Sequence, residues 1–275
     1  AVFDIGSGAE LTVLGNFTLP TNLIKNSGTT SNQKSEVILA NGGTLAAEGK
    51  LELQKFATTG LTLAGSDATL QASTLKLTLE DANASGNSAN LKDGHYVVTA
   101  GLDTNAGKGV VVSGANAKFD FGGLKKGADS KYTALSSGGS TDEAIVVSGA
   151  TMNVNAGTWD LSGKLTLEGT TPSLVVGNAD TVLTSAGGTI GATLNSKELV
   201  IKSGTATVED TGTLSVNKID ASGSAINISG AMNLVGSYNE SGADSYAKHG
   251  IKLADDAITI NEGGFLTLEG SAAEK

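Results

Sequence analysis

The acidic residues, lysines and two histidines of this chain are the side chains whose chemistry could serve catalysis or binding. Paired carboxylates hydrolyse glycosidic bonds when they face each other across a sugar. Adjacent acidic residues occur at Asp142-Glu143, Glu209-Asp210 and Asp255-Asp256. Neighbours on a strand point to opposite faces, and neighbours at a turn are commonly solvated, so we interpret these pairs as surface corners. We therefore predict no catalytic residue.

The chain offers little for a metal or a cofactor. It has no Cys, and His95 and His249 lie far apart in the sequence, whereas a zinc site needs a cluster of Cys and His ligands. The run 103–107 begins like a calcium loop, but its glycine falls one position too early. Gly42-Gly43 indicates a turn, because a phosphate loop requires a helix to follow it. We expect no metal, no cofactor and a protein that is not an enzyme.

Charge and composition exclude further classes of protein. The net charge is −10 and all 18 basic residues are lysines, which argues against a nucleic-acid surface. No apolar run approaches the roughly 18 residues of a membrane-spanning helix. Apolar residues make up 39% of the chain and aromatic residues 4%, so the core is expected to be aliphatic. The chain begins at Ala1 inside a strand-like pattern, and we interpret it as a processed or excised piece of an exported protein.

A phrase of alternating aliphatic residues, a small residue and a glycine recurs along the chain. It reads VVVSGANAKFDF at 110–121, IVVSGATMNV at 145–154 and INISGAMNL at 226–234. With one degenerate copy near residues 75–98, the spacing predicts a period of about 28 residues with about three short strands in each period. Glycine at the corners supplies the positive φ that a sharp bend needs. The central glycines are Gly8, Gly42, Gly65, Gly114, Gly149, Gly177, Gly204, Gly230 and Gly263.

This period predicts an all-β fold, a right-handed parallel β-helix (β-solenoid) of about ten three-strand turns. A string of β-sandwich domains is the alternative, since it also has short strands and regular turns. The short period and the single Trp favour the solenoid. We predict one solenoid segment over residues 1–275, with a narrow bore that accepts Val, Ile and Leu more readily than rings.

Four polar stretches interrupt the period, at residues 20–35, 80–95, 122–143 and 236–250. They have the composition of loops, and loops that emerge at solenoid corners often carry binding functions. A second interpretation is that loops accept Tyr and His because the bore rejects them. The candidate binding residues in or beside these loops are Tyr96, Lys125, Lys126, Tyr132, Tyr238, Tyr246 and His249.

The V-x-V-S-G-A phrases, together with LTLEG at 165–169 and 266–270, resemble the passenger domains of bacterial autotransporters. The self-associating and diffuse-adherence adhesins are the most similar in their repeating sequence pattern, and the resemblance covers nearly the whole chain. It implies an exported β-helix, secreted or displayed at the outer membrane of the bacterial cell surface. It also implies attachment to the membrane only through a translocator barrel that this chain lacks. The implied partners are a host surface protein or glycan, or copies of the chain itself.

We therefore predict a non-enzymatic adhesin or self-association passenger that acts in adherence, aggregation or biofilm formation. One alternative is a carbohydrate-active β-helix enzyme, either a polysaccharide lyase or a tailspike-like hydrolase. It predicts a cluster of three or more carboxylates, or of lysine with carboxylates, on one face of the parallel sheet. The absence of Arg disfavours lyase chemistry. The other alternative is a structural segment of an extracellular filament or phage fibre.

Overall fold

β-Strands form all the regular structure in the part of the chain that the computed structural model describes, namely residues 2–19, 36–39, 42–56, 61–62, 67–79, 89–104, 109–122, 143–177, 191–222, 224–236 and 251–270. Within those residues, no helix has the length and apolar character needed to cross a membrane. The strands are β1 (Val2–Ile5), β2 (Glu10–Val13), β3 (Phe17–Leu19), β4 (Glu36–Leu39), β5 (Thr44–Phe56), β6 (Leu61–Thr62), β7 (Thr69–Leu79), β8 (Ala89–Thr104), β9 (Val110–Phe121), β10 (Glu143–Ser148), β11 (Thr151–Val154), β12 (Gly157–Glu168), β13 (Ser173–Val176), β14 (Ala192–Ile201), β15 (Thr205–Val208), β16 (Gly212–Ala221), β17 (Ala225–Ile228), β18 (Ala231–Gly236), β19 (Ile251–Leu253), β20 (Ile258–Ile260) and β21 (Phe265–Gly270).

Every strand pairing among the described residues is parallel. The distance along the chain between paired residues varies, from 18 residues for Thr213 and Ala231 to 35 residues for Val110 and Ile145. The predicted average period falls within this range. Parallel pairing excludes the β-sandwich alternative, whose sheets are antiparallel. The sheet is nearly closed and solenoid-like.

Apart from β1 and β4, which form a separate two-stranded sheet, the pairings arrange the described strands in three stacked faces. The first face runs through β6, β8, β9, β10, β12, β14, β16 and β19. The second face runs through β2, β5, β7, β8, β9, β11, β13, β15, β17 and β20. The third face contains β3, β5, β7 and β8, and then β12, β14, β16, β18 and β21. Long strands such as β8 bend at register shifts and so contribute to more than one face.

The core is a set of inner rows in which each side chain stacks on its register partner in the next turn. Alternation along each strand directs every second residue inward. On the second face, the inner row between the end turns is at most 2% exposed. Burial of this kind stabilises the fold by roughly 25 cal/mol per Å² of apolar surface. This inner row consists of Leu45, Leu70, Tyr96, Phe119, Met152, Leu174, Ala206 and Ile226.

The expectation that the bore holds few rings is wrong for the middle of the solenoid. Tyr96, Phe119, Phe121 and Trp159 are at most 1% exposed. Their ring centroids lie 6.4, 4.5 and 4.1 Å apart in that order. Rings fit because they pack against one another, both within β9 and between neighbouring turns, and offset or tilted ring pairs are favourable. The polar ends are satisfied: the Tyr96 hydroxyl donates to the Lys92 carbonyl over 2.8 Å, and the Trp159 Nε1 donates to the Ala156 carbonyl over 3.2 Å.

Most of the predicted corner glycines have the expected positive φ. The value is between 63° and 104° at Gly8, Gly42, Gly114, Gly149, Gly177, Gly204 and Gly263. Gly230 differs, because it has no positive φ. A Cβ at Gly230 would collide with the carbonyl oxygens of Glu209 and Gly212, so this position needs glycine for close approach of the backbone. Gly65 lies outside the described residues.

Three of the four predicted insertions lie mostly outside the described residues and stay predictions. β3 and β4, β9 and β10, and β18 and β19 are separated at the predicted stretches 20–35, 122–143 and 236–250, most of whose residues lie outside the described part of the chain. The predicted insertion 80–95 is too long, because β8 already begins at Ala89. Residues 89–98 alternate inward and outward and pair with β9. The polar composition of this stretch had predicted a loop instead of a strand.

Candidate functional site

A cluster of polar and charged side chains lies on the second face in the middle of the solenoid. We call His95, Lys118, Asp120 and Asn153 the Asp120 cluster. His95 belongs to β8, Lys118 and Asp120 to β9, and Asn153 to β11. Register pairs His95 with Lys118 and Asp120 with Asn153. Each alternates with an inner-row residue, so all four occupy outward positions.

The Asp120 carboxylate joins three successive turns. Its Oδ1 accepts a hydrogen bond from Asn153 Nδ2 over 2.5 Å, and its Oδ2 lies 2.5 Å from His95 Nε2. Lys118 Nζ is 3.4 Å from the same Oδ2. Although Asp120 occupies an outward position, it is only 1% exposed. A buried charge is tolerated when it is paired and hydrogen-bonded in this way.

The partners of Asp120 decide its ionisation state. Burial alone raises the pKa of this carboxyl group, because it penalises the charged form. The hydrogen bonds from His95 and Asn153, with the charges of His95 and Lys118, outweigh burial and hold the pKa of Asp120 below its ordinary value. The group is therefore a carboxylate at neutral pH, and the geometry is that of a cross-link between turns.

A second arrangement, which we call the polar lane, occupies the outward positions of the third face from β12 to β21. Two rows of side chains run along it in register. Asn195 Nδ2 donates to Asp160 Oδ1 over 2.6 Å, and Asn233 Nδ2 donates to Ser215 Oγ over 3.3 Å, so neighbouring turns bind each other through this surface. One row is Thr158, Thr193, Thr213, Ala231 and Phe265, and the other is Asp160, Asn195, Ser215, Asn233 and Thr267.

Ion pairs occur elsewhere on the surface, between turns or, for Lys50 and Glu52, within one strand. Exposed pairs of this kind typically contribute less than about 1 kcal/mol. They place lysine beside carboxylates on faces of the parallel sheet, which is a feature that the enzyme alternative predicts. The pairs are Glu52 with Lys50 and Lys76 at 3.2 and 3.8 Å, Glu168 with Lys202 at 2.7 Å, and Asp220 with Lys252 at 3.3 Å.

The structure corrects the prediction for Tyr96. This residue does not lie at the end of a corner loop but within β8, in the inner row, where it is 0% exposed. It cannot serve as a surface binding residue in this fold. The reason is the alternation of β8, which turns Tyr96 inward and His95 outward. The other candidates, Lys125, Lys126, Tyr132, Tyr238, Tyr246 and His249, lie outside the described residues.

Two of the three acidic pairs lie at corners between strands. Glu209-Asp210 separates β15 from β16, and Asp255-Asp256 separates β19 from β20. Asp142 is outside the described residues, and Glu143 begins β10. Within the part of the chain that the structure describes, no group of three or more His, Asp or Glu side chains is placed to hold a metal ion.

Sequence reasoning missed Asp120 and Asn153. The signal was present in the run Phe119-Asp120-Phe121, since alternation places a carboxylate between two inward rings. Its partners could not be identified in the same way, because the number of residues per turn varies.

The described residues define an all-β protein built on a solenoid-like sheet of parallel strands. No protein-family model, curated protein or solved structure matches the chain. Inference about function therefore rests on the geometry of the Asp120 cluster and the polar lane.

Proposed function

We propose that the chain is a non-enzymatic adhesin, a right-handed parallel β-helix of about ten three-strand turns that acts as an autotransporter-type passenger domain. The polar lane carries this proposal. It stacks hydroxyl and amide side chains in register on successive turns of one face, from β12 to β21. Such a surface can form the same contact with a partner again at every turn.

Repetition supplies the affinity in this mechanism. Stacked strands are about 4.8 Å apart, so a second rod or another regular polymer aligned with the lane meets equivalent groups at each turn. A single hydrogen bond of this kind contributes only about 0.5–1.5 kcal/mol. Several bonds per rod, and many rods per cell, convert weak contacts into firm attachment.

The proposed location and partners follow from the same role. The chain is displayed on, or released from, a bacterial cell surface, where it contacts a host surface protein or glycan, or other copies of itself. The V-x-V-S-G-A repeat and the parallel solenoid-like sheet support this placement. Adherence, aggregation and biofilm formation are the expected outcomes.

Settling of bacteria that display the chain tests the proposal. Cells with the chain should settle and attach to surfaces faster than cells without it. A double variant of the lane, Thr213→Lys with Ser215→Lys, should slow both processes, because long charged side chains replace the small hydroxyl groups that form the repeated contact. The matched control is Thr205→Lys with Thr207→Lys on β15, which puts the same charges on the second face. Equal settling with and without the chain would contradict the proposal.

The enzyme alternative is favoured most by the Asp120 cluster. It brings a carboxylate, a histidine and a lysine together on a face of the parallel sheet. An ionised Asp120 would act as base or nucleophile rather than as acid. Release of reducing sugars from a polysaccharide by the wild type, and its loss in Asp120→Asn, would replace the adhesin proposal. No release by either protein would remove the alternative.

A further inference from the structure

The polar lane is unusual for its lack of charge. The chain carries a net charge of −10, and ion pairs such as Glu168–Lys202 and Asp220–Lys252 lie at other outward positions of neighbouring turns. Among the lane residues, Asp160 alone is ionisable, and its Oδ1 already accepts a hydrogen bond from Asn195. A neutral partner therefore fits the lane better than a charged one.

Bonds within the lane hold its amides in place. Asn195 and Asn233 each donate one amide hydrogen to the preceding turn, to Asp160 Oδ1 and Ser215 Oγ. Each amide has a second N–H and a carbonyl oxygen that remain available to a partner. The hydrogen bond to the preceding turn fixes the direction of these groups before a partner arrives. Donors and acceptors in fixed positions are what a hydroxyl-rich ligand requires, since preorganisation lowers the cost of binding.

An aromatic ring stands at the end of the lane. Phe265 is in register with Ala231, occupies an outward position and is 68% exposed. In the middle turns, by contrast, Phe119 and Phe121 are buried in the bore. A ring that projects from a row of small polar residues hinders the close approach of a second flat rod at that turn. The apolar face of a sugar, by contrast, stacks on such a ring.

From these features we propose that the polar lane binds a neutral polysaccharide, whose sugar rings lie along the rod with one ring stacked on Phe265. Hydroxyl groups of the neighbouring sugars bind Asn233, Ser215 and Asn195. The inference rests on the proposed adhesin function and names the partner of its lane. The net negative charge of the chain disfavours acidic polysaccharides, because like charges repel at long range.

Native gel electrophoresis through soluble polysaccharides tests this partner. Gels contain dextran, mannan or hydroxyethylcellulose as neutral probes, and alginate as the acidic probe. We expect the wild-type chain to be retarded in at least one neutral gel and not in alginate. Phe265→Leu keeps an apolar side chain but removes the ring, and should weaken binding by about three- to tenfold. Phe265→Tyr keeps the ring and should bind like the wild type.

Leu268→Ala is the matched control. Leu268 lies on the same strand, β21, and is 59% exposed, but it belongs to the inner row. Its loss should leave retardation unchanged. Retardation in no neutral gel, retardation in alginate only, or equal binding by Phe265→Leu and the wild type would each overturn the inference. Rapid settling of displaying cells, together with the absence of retardation in every neutral gel, would overturn the glycan partner while leaving the adhesin proposal intact.

Analytical ultracentrifugation separates the glycan from a second copy. If the lane binds a glycan, Phe265→Leu should leave the oligomeric state of the chain unchanged. If Phe265→Leu instead alters oligomers and no neutral gel retards the wild type, the partner of the lane is another copy and the inference is wrong.

Discussion

Interior turns and the last described turn share one strand pattern but differ sharply in burial. Ile228 and Leu234 are 0% and 2% exposed, whereas their register partners one turn later, Ile260 and Leu268, are 50% and 59% exposed. The side chains are of the same kind and point in the same direction. The interior turn packs against another turn on each side. Among the described residues, the last turn packs against another turn on one side only.

This contrast shows where a solenoid obtains its stability. Each turn contacts only its neighbours, so burial at a position depends on the turns above and below it. Transfer of apolar surface from water scales with the area buried, so it contributes most where both neighbours are present. Substitutions in the middle should therefore cost far more than equivalent substitutions in the last described turn.

The largest expected effect is at Trp159. This ring is 1% exposed, and its centroid lies 4.1 Å from that of Phe121. Trp159→Ala should lower the free energy of unfolding by about 3–5 kcal/mol, because it leaves a large cavity in the bore. Leu268→Ala, in the last turn, should lower it by less than about 1 kcal/mol, since little buried surface is lost. Urea unfolding followed by circular dichroism measures both, and equal losses would refute the contrast.

The next effect concerns two glycines with similar backbone angles. Gly204 and Gly263 have φ values of 80° and 84°. A Cβ at Gly204 would collide with the carbonyl oxygen of Pro172, whereas at Gly263 the nearest atom is the Ser229 oxygen at 4.0 Å.

Alanine at either glycine should lower the free energy of unfolding by about 1–2 kcal/mol, because its side chain strains a left-handed backbone conformation. Gly204→Ala should lower the free energy of unfolding by about 2–4 kcal/mol in total, because the collision adds to the strain. Thermal and urea unfolding of both variants check this order. A Gly263→Ala variant as unstable as Gly204→Ala would show that strain alone decides the cost.

A smaller effect with a distinct pH signature is expected at Asp120. Because its pKa is lower in the folded chain than its ordinary value of 3.8, its contribution to stability is present above that value. That contribution is lost as the pH falls through the folded-state pKa. Asp120→Asn should lower the free energy of unfolding by about 1–3 kcal/mol at neutral pH.

Urea midpoints measured between about pH 2 and pH 7 test the signature. The wild type should lose its advantage over Asp120→Asn in acid, so that the two curves converge. If the gap between them stays constant over the whole range, the cross-link by the Asp120 carboxylate makes no such contribution.

The smallest effect is expected for the ion pair that ties the last turn to its neighbour. Lys252 Nζ lies 3.3 Å from Asp220 Oδ2, and the two side chains are 52% and 20% exposed. Lys252→Ala should lower the free energy of unfolding by less than about 0.5 kcal/mol, because water and salt screen an exposed pair. Repeating the measurement in about 1 M NaCl should remove the difference. A loss as large as that of Asp120→Asn would contradict the contrast between interior and end.

Much of the fold could be predicted from local pattern. Alternation in runs such as INISGAMNL states which residues face inward, and glycine at corners such as Gly204 states where the chain must bend. Both signals are local, because they depend on side-chain direction and on φ at single residues. The parallel solenoid-like sheet and the corner position of Glu209-Asp210 follow from them.

The candidate site could be predicted only in part. The polarity of the stretch 80–95 suggested a loop that includes His95, yet β8 begins at Ala89 and places His95 on a sheet face. Tyr96 looked like a loop residue because rings were expected to be rejected by the bore. Stacking with Phe119 in the next turn accommodates the ring, and that contact depends on residues distant in the sequence.

The sequence by itself determined the kind of structure: short alternating strands, glycine corners and a core that repeats. Only the tertiary structure decided which outward residues meet, because the turns contain between 18 and 35 residues and the register cannot be counted from one to the next. His95, Asp120 and Asn153 come from three turns, as do Asp160, Asn195 and Ser215. Which residues become neighbours across a parallel sheet depends on how one turn stacks on the next, and that stacking exists only in the folded chain.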